Sequence, residues 1–344
     1  MTGVVVVRRG ALSLRFRRRT LLVGCALAAT VLALAVLALG LGELPLAAPD
    51  VVAALLGQRT GITRTVVVDW RLPRVLGAVL FGAALGVSGA VFQSLTRNPL
   101  ASPDIIGLTS GSYAGGLVVI ILAGAGAGSP SVAAGSVVGG LLAAALVYLL
   151  AYRRGVQCFR LIVVGIGVSA VLEAVSTFLV LRAELEVAMA ASIWGAGSLT
   201  PVGSGQLLPA IVVIAVASAG LGLLARSLRQ LELGDDAARA LGTRVARTRL
   251  LLVVAAVALT AVVTAAAGPI AFVALAAPQI ARRLTRTAGI ALVPSALVGA
   301  LVLLAADTAA QHLLPGSLPV GVVTVVVGGL YLVGLLIHEA RRRS

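Results

Sequence analysis

The side chains that do chemistry are few in this sequence. Two histidines, His312 and His338, and two cysteines, Cys25 and Cys158, are scattered along 344 residues, and no cluster of them has the spacing of a metal site. All 27 basic residues are arginine. The lack of lysine removes a P-loop lysine, a Schiff base and a catalytic amine together. Neither a catalytic centre nor a bound metal is expected. What remains are polar breaks in apolar surroundings. They are Arg71-Leu-Pro-Arg74, Gln93 to Pro103, Leu231 to Gly242, Gly268 to Arg283 and Leu318 to Thr324. Glu173 stands alone in the middle of an apolar run. An acidic side chain at that depth costs about 2.5–3.5 kcal/mol on insertion scales unless it is paired or wet. It is therefore expected to face a cavity or a subunit interface, or to stay protonated. This set of residues suits recognition and gating better than bond making.

The elements that hold these breaks are helices in lipid. Hydrophobic residues make up 60% of the chain and charged residues 11%, with a mean hydropathy of +1.10. A water-soluble domain carries about 25% charged residues. A soluble enzyme, a disordered tail and a disulfide-bonded secreted module are thereby excluded. Apolar stretches fall at 20–41, 73–93, 105–125, 131–152, 159–181, 206–226, 248–268, 270–285, 290–307 and 319–338. A helical span needs about 20 apolar residues, and only 270–285 is short. The alternation of a membrane barrel is absent. The expectation is an all-α integral membrane protein with ten transmembrane helices at 20–340, after a basic cytoplasmic tail at 1–19. The first apolar run is too long for a signal peptide and reads as an uncleaved helix.

Arginine distribution tests that topology. With the N-terminus in the cytoplasm and spans alternating, 22 of the 27 arginines fall inside and only Arg59, Arg64, Arg71, Arg74 and Arg182 fall outside. That is the positive-inside bias, and it places both termini in the cytoplasm. The high net charge of +15 therefore reports topology and not nucleic-acid binding, because the basic residues are spread over many loops.

Within this frame, residues 230–247 are the longest inner connection. They read as a short amphipathic helix, with Leu231, Leu233, Ala238 and Leu241 apolar, Asp235, Asp236 and Arg239 polar, and Gly234 and Gly242 as punctuation. Either a docking helix for a soluble partner or a plain interfacial helix has this pattern. Asn98-Pro99 and Ser102-Pro103 are turn signals, in a tight loop or in a loop lining a watery path. Gly82/Gly86, Gly111/Gly115 and Gly135/Gly139 have the spacing that lets helices approach closely, although 40 glycines produce such pairs by chance. Cys25 and Cys158, in or beside apolar runs, read as packing residues.

Taken together, RLPR at 71–74, GAALGVSGAVFQSLTRNPLASPDIIGLTSG at 82–111, LGDDAARALG at 233–242, GPIAFVALAAPQIARR at 268–283 and LPVGVV at 318–323 resemble the FecCD family of ABC-transporter permeases, which import iron–siderophore complexes, haem and vitamin B12. The resemblance covers about residues 20 to 340. It implies the type II ABC importer permease architecture, ten helices per subunit, in a bacterial inner membrane. It implies that Arg71 and Arg74 dock acidic residues of a periplasmic or lipid-anchored substrate-binding protein. It assigns Leu233, Gly234, Asp235, Ala238, Arg239, Leu241 and Gly242 to coupling with an ATP-binding cassette ATPase subunit. Asn98, Pro99 and Leu100 match the inner gate, with Gly155 and Val156 matching by position only. Some relatives carry a further arginine after the acid that matches Asp307, where this chain has Gln311 and His312. ATP and Mg would sit on the partner ATPase, and this chain would bind no cofactor. A second permease copy or a homologous permease would complete the path, with lipid around it and no nucleic acid.

The function so implied is a permease subunit of a binding-protein-dependent importer, with ferric siderophore the first cargo and haem or cobalamin the alternatives. A secondary transporter driven by protons or sodium is the competing class. It needs coupling charges near mid-membrane, and only Glu173 qualifies.

Overall fold

In the computed structural model, the residues described are 4–9, 12–104, 107–126, 129–151, 158–287, 289, 291–314 and 318–343. A short antiparallel hairpin opens the chain. β1 (Val4–Arg9) pairs with β2 (Leu12–Arg17), Val4 opposite Arg17. The sequence pattern gives only a basic tail here. Four consecutive valines, Val4 to Val7, favour the extended backbone that the tail adopts.

Helices make up the rest of the regular structure. They are α1 (Arg18–Gly40), α2 (Ala48–Leu55), α3 (Ile62–Arg64), a π-helical stretch Thr65–Arg71, α4 (Leu72–Thr96), α5 (Leu108–Ala123), α6 (Pro130–Ala151) and α7 (Cys158–Arg182). They continue with α8 (Leu185–Gly195), α9 (Ser204–Glu232), α10 (Asp235–Ala240), α11 (Val245–Ala267), α12 (Val273–Thr285), α13 (Leu292–His312) and α14 (Val320–Arg343). Every apolar stretch read from the sequence contains one helix. Among the described residues, seven helices are long and apolar enough to cross a membrane. Two of the remaining helices in those stretches are short. α5 has 16 residues and α12 only 13.

α12 is short because the chain from Gly268 to Phe272 is irregular. Here two helix breaks, at residues 196–198 and 268–269, meet the first turn of α14 at Gly321. Ser198 N–H donates to the Ala267 carbonyl at 2.8 Å, and Gly321 N–H to the Gly197 carbonyl at 3.0 Å. A side chain at Gly268 or Gly321 would collide with the carbonyls of Trp194 or Ala196. Backbone leaving a helix in lipid must be satisfied by protein, and these crossings do so.

Packing divides the helices into a core and a rim. The continuous helix Ile62–Thr96 is 72% buried across its apolar window, and Val245–Ala267 67%, against 17% for both α1 and α7. α4 sits at the centre because its Gly/Ala/Ser faces admit neighbours closely. Gly82 and Gly86 meet Gly299 and Ser295 of α13 backbone to backbone, and Gly111 and Gly115 of α5 meet Gly139 and Gly135 of α6. These glycine pairs are therefore helix seams and not chance spacings. On the side facing α11, Ser88 Oγ lies 2.8 Å from the Ala256 carbonyl and 2.9 Å from Thr260 Oγ1. Cys25, by contrast, is exposed on α1, so it does not pack in this subunit's interior as its apolar surroundings suggested. α1 simply has few neighbours.

Candidate functional site

α4 has 25 residues, a length of about 37 Å at 1.5 Å per residue. The polar clusters at its two ends therefore lie on opposite sides of the bundle. At the first end, Pro73 sits just after the π-helical stretch Thr65–Arg71 runs into α4, and its missing N–H leaves a gap in the helical ladder at that junction. Arg74 then forms a two-pronged pair with Asp307 of α13, Nε to Oδ2 at 2.9 Å and Nη2 to Oδ1 at 2.7 Å. The side chains are 19% and 6% exposed. Arg71 donates to the Leu39 and Leu44 carbonyls, both at 2.9 Å, and so fastens the chain leaving α1. Around these groups lies a cavity of about 580 Å³, whose walls include Glu43, Trp70, Gln311 and His312. Trp70 and Ile62 stand out from it, 66% and 70% exposed.

At the second end, α9 stops at Glu232 and Gly234 reverses the chain at φ +117°. α10 follows for six residues, and Gly242 turns the chain again at φ +84°. Both turns use backbone that glycine adopts without strain. Asp235 opens α10 and accepts Arg249 of α11 at 2.8 Å. Arg239 and Asp236 pair on the solvent side at 2.6 Å. The single apolar face expected for this segment is in fact two. Leu231 and Ala238 are buried, whereas Leu233 and Leu241 are 68% and 56% exposed. The glycine turns break the helix that would have put all four on one stripe.

Next to it lies the Asn98–Leu100 turn. Asn98 Oδ1 accepts the Leu100 N–H at 2.9 Å. Gln279 of α12 reaches the Pro99 carbonyl at 3.0 Å and Gln93 Oε1 at 2.7 Å, and Gln93 in turn donates to the Leu275 carbonyl at 3.0 Å. Ala101 and Ser102 are buried, so this chain re-enters the protein and is not an ordinary surface loop. Asp104 accepts Thr109 Oγ1 at 2.7 Å and the backbone of Phe272. Burial pushes its carboxyl up to about 6, with those two bonds pulling the other way. A cavity of about 640 Å³ borders this region, with Gln93, Arg97, Pro99, Gln279 and Ser295 among its walls. Gly155 and Val156 lie outside the described residues.

Glu173 is exposed on α7 in the single subunit, within electrostatic reach of Tyr113. Tyr113 stacks on Trp194 with ring centroids 5.7 Å apart. Among the described residues no group of His, Cys, Asp and Glu is arranged to hold a metal ion. Three residues to which the sequence pattern assigns no role join elements here: Asp307, Asp104 and Gln93. Asp307 is a polar residue inside an apolar run, the signal that could have singled it out, whereas Gln93 and Asp104 border the polar break between α4 and α5.

The profile of the FecCD transport family matches residues 30–338. The chain is 49% identical over 327 residues to the ferric enterobactin transport system permease protein FepG of Escherichia coli, covering 94% of this chain and 98% of the relative. It is 35% identical to FepD, the other ferric enterobactin permease of that organism, covering 89% and 92%. Among solved structures, an inward-facing conformation of a metal-chelate type ABC transporter superposes with a TM-score of 0.82 at 29% identity, covering 92% of this chain and 99% of that one.

Proposed function

The chain belongs to the FecCD transport family, and on that premise we propose that it is a permease subunit of an ABC importer for a ferric siderophore. The observation that carries this reading is 49% identity, nearly end to end, with a ferric enterobactin permease. The bundle suits such a conduit, with a thinly packed α7 that carries a carboxylate and with polar machinery at both ends of α4.

The finer reading is ten spans with both termini in the cytoplasm, supported by the arginine bias. It places the Arg71 end outside and the Arg97 end inside. ATP and Mg belong to ATPase subunits gripping the 230–247 segment, where exposed Leu233 and Leu241 offer apolar contacts. Gly234 and Gly242 shape the segment, and Asp235, Ala238 and Arg239 brace it. The binding protein meets the outer cavity, where Arg71 and Arg74 keep part of their surface beside Trp70. Asn98, Pro99 and Leu100 serve the inner gate. Two distinct permeases named for one system in one organism, matched at 49% and 35%, support a partner permease different from this chain.

The test is uptake of ferric enterobactin into proteoliposomes holding both permeases and the ATPase, with the binding protein outside. Uptake is expected only with ATP and the binding protein together. Uptake driven by an ion gradient without the ATPase would replace this reading with the secondary-transporter one.

A further inference from the structure

The chain between α4 and α5 touches several elements that an importer has to move together. At its start, Arg97 lies in the left-handed region at φ +50°. Its Nη2 is 3.0 Å from the Leu231 carbonyl in the last turn of α9, and 3.8 Å from Asp235 Oδ1 at the start of α10. In the middle, the Pro99 carbonyl is held by Gln279 of α12, and Asp104 accepts the backbone of Phe272, the residue before α12. Phe272 is itself left-handed, at φ +67°, an uncommon conformation for a bulky residue. At its end, Gly107 packs on α7, where a methyl group would lie 2.9 Å from Ser169 Oγ and 3.2 Å from the Gly165 carbonyl. Ser169 is one helical turn from Glu173 on the same side of α7.

The mechanical contrast along this line is large. A connection without regular structure normally runs over the surface. This one is buried at Ala101 and Ser102 and tied at several points. Its ties are part-buried at Arg97 and Asp104 and exposed at Pro99, so the segment stays joined to its neighbours while it shifts. α7, at the far end, is only 17% buried within this subunit, whereas the helix Ile62–Thr96 behind the chain is 72% buried. The cavity of about 640 Å³ beside Gln93, Arg97 and Pro99 leaves the tied segment room to shift.

We infer that residues 97–104, joined to Gly107 by its N–H on the Asp104 carbonyl at 3.2 Å, form a strap that carries displacement of the 230–247 segment to α7 and its Glu173 face, with Arg97 as the positioning residue at the driven end. The inference rests on the importer reading above. A push on α10 reaches Arg97 through Asp235 and Leu231. The strap passes it to α12 through Pro99 and Asp104, and to α7 through Gly107.

The experiment uses the complete transporter in proteoliposomes, with ferric enterobactin uptake and ATP hydrolysis measured in the same sample. Arg97→Ala is expected to keep the ATPase bound and hydrolysing, while uptake per ATP falls about tenfold, within the usual range of coupling between sites. Arg97→Lys recovers part of that ratio, and Gly107→Ala, at the other end, lowers it again. Should Arg97→Ala not assemble, Gln279→Leu cuts the strap at Pro99 and carries the test with the same outcomes. A proportional fall in uptake and hydrolysis, or an unchanged ratio, overturns the strap. Native transporter without ATP-dependent uptake overturns the importer reading instead, so the two failures are distinguishable.

Discussion

The two ends of α4 are fastened on opposite plans. At the Arg74 end a guanidinium and a carboxylate share two hydrogen bonds, with Asp307 only 6% exposed. At the Arg97 end the guanidinium is 52% exposed, and it holds a backbone carbonyl and a distant acid. A buried pair fixes one geometry, because separating its charges leaves each without solvent. A partly exposed contact to a backbone carbonyl holds less rigidly than a buried pair, yet it keeps the two elements joined. The bundle is therefore rigid where α4 meets α13 at the first end, and adaptable where it meets α9, α10 and α12 at the second.

The largest effect that tests this contrast is Asp307→Ala. Leaving Arg74 unpaired is expected to cost about 3–5 kcal/mol, measured as a fall in the melting temperature of the detergent-purified protein. A loss below about 1 kcal/mol would make the pair no stronger than a surface one and erase the contrast. A smaller effect concerns Asp104. Its folded carboxyl is raised from 3.8 to about 6, so the fold binds a proton more readily than the unfolded chain does. Its contribution therefore makes the protein more stable as pH falls through about 6 toward about 4. The melting temperature of the native protein should rise over that window relative to Asp104→Asn, and parallel curves would remove burial as the cause. The smallest effect on stability belongs to Leu241→Asp. This exposed position should change stability by less than about 0.5 kcal/mol, while ATPase co-purification is lost. Retained co-purification would remove Leu241 from the interface.

The sequence shows which segments are helical because lipid leaves a helix few alternatives, and every apolar stretch indeed holds one. It also shows the polar breaks at 71–74, 98–103 and 231–242. Hidden from it are the pairings across the bundle. The resemblance reads Arg71 and Arg74 as docking residues, and nothing local says that the carbonyls of Leu39 and Leu44 and the carboxylate of Asp307 arrive beside them. Arg74 and Asp307 are separated by 233 residues. Leu233 and Leu241 read as members of one stripe with Leu231 and Ala238, because the pattern assumes a continuous helix that Gly234 and Gly242 interrupt. The shortness of α12 shows in the brief run 270–285, but its surroundings do not. The Ala267 carbonyl before the irregular turn accepts the Ser198 N–H, and periodicity carries no information about distant backbone.

The seam between α4 and α13 has an evolutionary consequence. Where Gly82 and Gly86 touch Gly299 and Ser295 through their backbones, neither helix can accept a larger residue unless its neighbour retreats. Added volume is accommodated instead on the sparsely covered helices α1 and α7 at the rim, only 17% buried within this subunit, where a substitution leaves the scaffold seated.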